Sequence, residues 1–183
     1  MLDNVLMNPD MFTIEQSKQM GIWPPSDIVS HGIFRYITRL KEENLTILDV
    51  GVMKGENAYH MLSLDEKKKI KKVYGIISQS EGDPNDNRSL NDYESILKKN
   101  MEKTDRFSVD YTNQHCNVVC IHAHSDIYNN LHKYYKILKH NGIFCGNEHN
   151  LTHVKEALGK FRREVKIGTP IMVSNGCWFW VKR

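Results

Sequence analysis

A single α/β domain, doubly wound about a mostly parallel sheet with helices on both faces and closed by a C-terminal antiparallel hairpin, is what the sequence predicts. Three observations carry that expectation. Short runs of β-branched and aliphatic residues (Ile47 to Val50, Val73 to Ile77, Asn117 to Ile121, Ile143 to Asn147) alternate with stretches whose apolar residues recur at helical spacing. Gly51 and Gly55 follow the first run and lead into a helix, the order of a strand, a turn and a crossover. Near the end, Asn175-Gly176 separates two apolar runs, a pair that favours a hairpin.

The 183 residues suit one domain with a real core, and 40% apolar with 26% charged residues is ordinary for a globular protein. A net charge of +3 does not argue for nucleic acid, because the lysines gather at 67–72 and 98–99, where they line solvated helix ends. No apolar run approaches the ~20 residues needed to cross a bilayer, and the N-terminus has no basic region followed by an apolar core. A soluble, cytoplasmic protein without nucleic-acid or membrane partners is the expectation. Cys116, Cys120, Cys145 and Cys177 lie singly in apolar stretches and read as small buried thiols, not as a disulfide frame or zinc site.

In order along the chain, residues 1–25 form an extension, with Phe12, Ile14 and Met20 marking a short helix before the Trp23-Pro24-Pro25 break. The domain proper is 26–183. Ser26 caps a helix through Lys41 with Ile28, Ile33, Phe34, Ile37 and Leu40 inward. The strand Ile47 to Val50 follows, then a helix with Ala58, Met61 and Leu62 on one side. Val73 to Ile77 is the second strand, and a Gly, Pro, Asn and Asp loop over 80–87 precedes an amphipathic helix over 89–103. Arg106 to Tyr111 alternates like a strand. Only about five residues part it from the next strand, too few for a parallel crossover. Either the intervening helix is lost or this strand is irregular or at an edge. Asn117 to Ile121, a helix over 128–138, a turn at 139–142, the strand Ile143 to Asn147 and a helix over 152–163 follow. Two strands, 165–172 and 177–182, close the chain.

Leu48-Asp49-Val50-Gly51-x-x-x-Gly55 resembles the first motif of the class I S-adenosylmethionine-dependent methyltransferases. Val118 to His124, followed by a helix and Leu138 to His149, looks like the strand ends of the small-molecule type, and the terminal hairpin is that family's ending. The resemblance spans roughly 26–183 and implies a Rossmann-like fold, S-adenosylmethionine as cofactor and methyl transfer to a small molecule. It places Asp49, Gly51, Met53, Gly55, Asn57, Ser78 and His122 at the cofactor. Met53 stands where a middle glycine is usual. Ile77 stands where an acid holds the ribose, with Ser78 next to it as a neutral substitute.

The polar residues at the strand ends have chemistry of their own. His122, His124, Glu148 and His149 converge on one rim if the strands ending at 121 and 147 are neighbours. A histidine there suits removal of a proton from an oxygen or nitrogen nucleophile, so His124, Glu148 and His149 are the catalytic candidates. The same rim, through His122, His124 and Glu148, could hold a divalent metal, with imidazole favouring zinc, iron or nickel over magnesium. Competing readings are a cofactor-free binding protein on the same fold and a metal-dependent enzyme. The small domain carries little to cap a substrate, so a homodimer would complete the pocket.

Overall fold

A computed structural model describes residues 31–52, 55–77, 90–122, 126–174 and 176–183. The expected N-terminal helix, the Ser26 cap and the 80–87 loop lie outside these residues.

Helix α1 (His31–Thr38) buries Ile33, Phe34 and Ile37 and leaves Arg35 in solvent. Strand β1 (Leu45–Val50) is buried along almost all its length, as a strand covered on both faces requires. Helix α2 (Glu56–Leu64) turns Ala58, Met61 and Leu62 inward, and strand β2 (Ile70–Ile76) runs parallel beside β1. Helix α3 (Leu90–Met101) leads to β3 (Phe107–Ser108), the fully buried β4 (Cys116–Ile121) and helix α4 (Ile127–Tyr135). The chain ends with β5 (Leu138–Gly146), α5 (Thr152–Glu164), β6 (Met172–Ser174) and β7 (Cys177–Val181).

These strands form one sheet in the order β3-β2-β1-β4-β5-β7-β6. The first five are parallel, β7 is antiparallel to β5, and β6 pairs antiparallel with β7. Alternation along each strand divides the core between two faces. Ile47, Val118 and Ile143 meet Ile33, Ile37, Met61 and Leu97 of α1, α2 and α3, while Leu48, Val119 and Phe144 meet Leu131, Leu158 and Phe161 of α4 and α5. Each such side chain taken from water contributes about 1.5–3 kcal/mol. The expected doubly wound, mostly parallel sheet with a terminal hairpin is the architecture observed.

The boundaries differ most in three places. Strand β3 has two residues, not six, and sits at the sheet edge beyond β2. Residues 109–115 carry no helix, so both the edge position and the lost crossover helix hold. An extended chain of this length reaches about 23 Å, enough to pass the three strand spacings of about 14 Å between β3 and β4.

Residues 139–142, expected as a turn, lie within β5 as a bulge. Leu138 pairs with Cys116 but Ile143 already pairs with Val118, and Asn141 takes φ 63° to absorb the surplus. Residues 165–171, expected as strand, form a loop. Lys166 turns left-handed after α5 at φ 57°, and Pro170 has no amide to offer a ladder.

Candidate functional site

The sheet order reverses between β1 and β4, so the crevice at their C-terminal ends is where an open α/β sheet holds a ligand. Gly51 leaves β1 at φ 85°, and the amides of Gly51 and Val52 donate to Ile76 O at 2.8 and 3.1 Å. On the other side His122 N donates to Val50 O at 3.0 Å. The turn is thereby tied to both neighbouring strands. Gly55, at φ 91°, caps α2 and donates to Val52 O at 2.8 Å. A Cβ there would stand 2.7 Å from Leu97 Cδ1, so this glycine is required by its backbone angle and by the approach of α3. The first-turn amides of α2 have no intrahelical acceptors and lie at the positive end of its dipole.

Beneath the turn Asp49 is wholly buried. Its Oδ1 accepts hydrogen bonds from Asn57 Nδ2 at 3.0 Å and His122 Nε2 at 2.9 Å. The donor that a buried carboxylate needs is therefore supplied twice, from α2 and from the end of β4. Asp49 Oδ2 and Asn57 Oδ1 are buried without a partner among the described residues. Gly75, Asp49, Cys120 and Cys145 are successive cross-strand neighbours, which floors the group with two thiols. Cys145 donates to Cys120 at 3.3 Å, and this bond together with burial pushes the Cys120 thiol up. All four cysteines are free and buried, as their spacing suggested.

Glu148 follows β5 with φ 56°, a conformation costly for a residue with a Cβ. The hairpin fixes its loop. Trp178 Nε1 donates to Asn147 O at 3.0 Å, and His149 N donates to Gly176 O at 2.7 Å. Burial pushes the Glu148 carboxyl above its ordinary value, while the nearby His153 and His122 imidazoles pull it back. Burial and Lys155 hold the His149 imidazole below its usual value. Asp49, Asn57, His122 and Glu148 thus form one electrostatic group. Among the described residues no hydrogen bond joins the His149 ring to it. Met53, Ser78 and His124 lie outside the described residues. Among those described, no three His, Cys, Asp or Glu side chains are arranged to hold a metal ion.

No family model matches the sequence, and no curated protein does. Solved structures match by shape. A SAM-dependent O-methyltransferase of Thermotoga maritima is 15% identical with a TM-score of 0.59, covering 90% of this chain and 69% of its own. A precorrin-6y C5,15-methyltransferase of Geobacter metallireducens is 11% identical at 0.55, covering 84% and 88%. A ribosomal protein L11 methylase of Lactobacillus delbrueckii is 14% identical at 0.52, covering 92% and 80%. The chain has the class I methyltransferase fold.

Within this methyltransferase fold the end of β2 departs most from expectation. Ile77, half-buried, follows the strand where the resemblance leads one to look for an acid. It borders a cavity of about 460 Å³ that also touches Gly75, Glu94, Tyr111, Asn113 and Tyr134. Sequence reasoning missed Glu94. Its 2.6 Å pair with Lys98, four residues on, reads as a solvated helix face, and nothing local reports that α3 turns it toward the end of β2. His153 is exposed, yet close enough to Glu148 to stabilise its charge.

Proposed function

We infer that the protein transfers a methyl group from S-adenosylmethionine to a small-molecule acceptor. The observation that carries this reading is the buried Asp49, with one oxygen unpartnered among the described residues, beneath a glycine turn at the point where the strand order reverses. The residues fit such a cofactor. Beside the left-handed turn at Gly51 the first turn of α2 presents backbone amides to its carboxylate-bearing end, Asp49 offers an acceptor to its ammonium, and Glu94 offers the carboxylate for sugar hydroxyls that Ile77 lacks. When bound, the cofactor supplies an electrophilic methyl carbon on a cationic sulfur. Glu148, held in a desolvated loop beside β4, stands ready to accept a proton from an oxygen or nitrogen nucleophile. Alignment of the reactants then supplies most of the acceleration.

Titration calorimetry with S-adenosylmethionine and its demethylated product tests the reading. Micromolar affinity is expected. No heat and no thermal shift at millimolar ligand overturns it and favours a second reading, the same fold kept for binding something other than this cofactor. The isoleucine at 77 is the observation that favours this second reading. The Glu94→Gln variant is expected to weaken the product's affinity by about tenfold, the worth of a charge-assisted hydrogen bond against a neutral one. An unchanged affinity removes Glu94 from the site.

A further inference from the structure

At the other end of the sheet from Glu148, α4 and α5 come to their C-termini beside the last residues of β7. Between them lies a hollow of about 580 Å³, within the range of small-ligand sites. Its walls include Tyr135 and Ile167, with Thr169 and the cations Lys166, Lys182 and Arg183. Among the described residues, no carboxylate side chain lines it.

The charges around it are held by neutral groups. Lys182 Nζ donates to Tyr135 O at 2.9 Å and to Leu138 O at 2.7 Å, and lies 4.6 Å from the centre of the Tyr135 ring. Arg183 Nη1 donates to Asn141 Oδ1 at 2.7 Å. Behind the wall, the Arg162 guanidinium donates to Thr169 O and lies 5.0 Å from the centre of the Trp180 ring, with Nη1 buried and unpartnered among the described residues. Burial holds both Lys182 and Arg162 below their ordinary values. Among the described residues, no ion pair engages any of these four cations.

Part of this charge complements helix ends. Two helix C-termini carry about half a negative charge each, which balances about one unit of the four. Charge crowded into a partly desolvated hollow with no carboxylate side chain among its described walls attracts an anion, and Tyr135 with Ile167 adds apolar surface for the body that carries it.

We propose that the hollow between the ends of α4, α5 and β7 binds a small molecule carrying an oxyanion on an aromatic or heterocyclic body. Phosphate monoesters and carboxylates share this chemistry. The site is separate from the crevice at the C-terminal ends of β1 and β4, and its test does not depend on the transferase reading.

The full chain is titrated by calorimetry with phenyl phosphate, inorganic phosphate and benzoate at low and moderate salt. Submillimolar binding of phenyl phosphate or benzoate, weaker binding of inorganic phosphate and loss of affinity with salt are expected. Preference between phenyl phosphate and benzoate identifies the natural head group. The double variant Lys166→Ala/Arg183→Ala, both exposed positions, should bind at least about tenfold more weakly with an unchanged near-ultraviolet circular dichroism spectrum. Three results overturn the proposal: no heat with any probe, equal affinity in the double variant, or competition by the demethylated cofactor product, which would put the anion in the other crevice.

Discussion

Asp49 accepts two hydrogen bonds on one oxygen, from Asn57 and His122, and none on the other among the described residues. Truncation to alanine removes the acceptor that Asn57 and His122 share and opens a cavity. Asp49→Ala is expected to lower stability by about 3 kcal/mol, read as a shift of the urea midpoint, and to remove cofactor affinity. An unshifted midpoint would show that water replaces the carboxylate at no cost. Glu148 titrates in the opposite sense from a salt-bridged acid. Because folding raises its pKa, the protonated form is favoured in the native state. Its contribution is therefore full below the unfolded carboxylate value and is lost as pH rises through the raised one. Glu148→Gln should flatten this fall in a series of denaturation midpoints from pH 4 upward, and a parallel pair of curves would contradict it. Glu148→Gly, by relieving φ 56°, should raise stability by about 1 kcal/mol while lowering methyl transfer.

At the level of elements, a side-chain staple closes the end of the sheet remote from the crevice. Asp65, nearly inaccessible, accepts from the amides of Lys69 and Ile70 and from Arg106 Nη1 at 2.8 Å. Arg106 also donates to Ile70 O and Leu62 O, so one guanidinium joins α2, β2 and the entry to β3. Arg106→Ala leaves a buried carboxylate without its cation and should cost about 3–5 kcal/mol by chemical denaturation. A loss under about 1 kcal/mol would mean that the two amides satisfy Asp65 alone. The hairpin acts on the crevice through Trp178, whose indole holds Asn147 O beside Glu148. Trp178→Phe should lose about 1 kcal/mol and weaken acceptor binding more than cofactor binding, which separate titrations would resolve.

For the molecule as a whole, what could be read from the residues depended on how local the cause was. Strand β1, the α2 periodicity, α5 and the terminal hairpin follow from spacing and turn chemistry within a dozen residues. The need of Asp49 for a donor was legible too, though not that His122, 73 positions on, would be one of two. Gly55 was read for its turn, whereas its lack of a Cβ also admits Leu97 from α3. The short β3 and the loop at 165–171 escaped because an alternating pattern marks residues able to pair, while pairing itself needs a partner strand in reach. The cationic hollow gave no signal, since Tyr135, Lys166 and Arg183 meet only when two helices end at the same place.

By itself the chain determined its class of fold, the strand with its glycine turn, and the imidazoles and carboxylate at the strand ends, because periodicity, backbone freedom and side-chain type act over a few residues. Only the tertiary structure decided that Glu94 borders the same hollow as Ile77, that Asp65 meets Arg106, and that four cations gather with no carboxylate side chain beside them among the described residues. Those meetings depend on sheet order and helix packing, which are settled by the summed burial of both faces and not by any one segment.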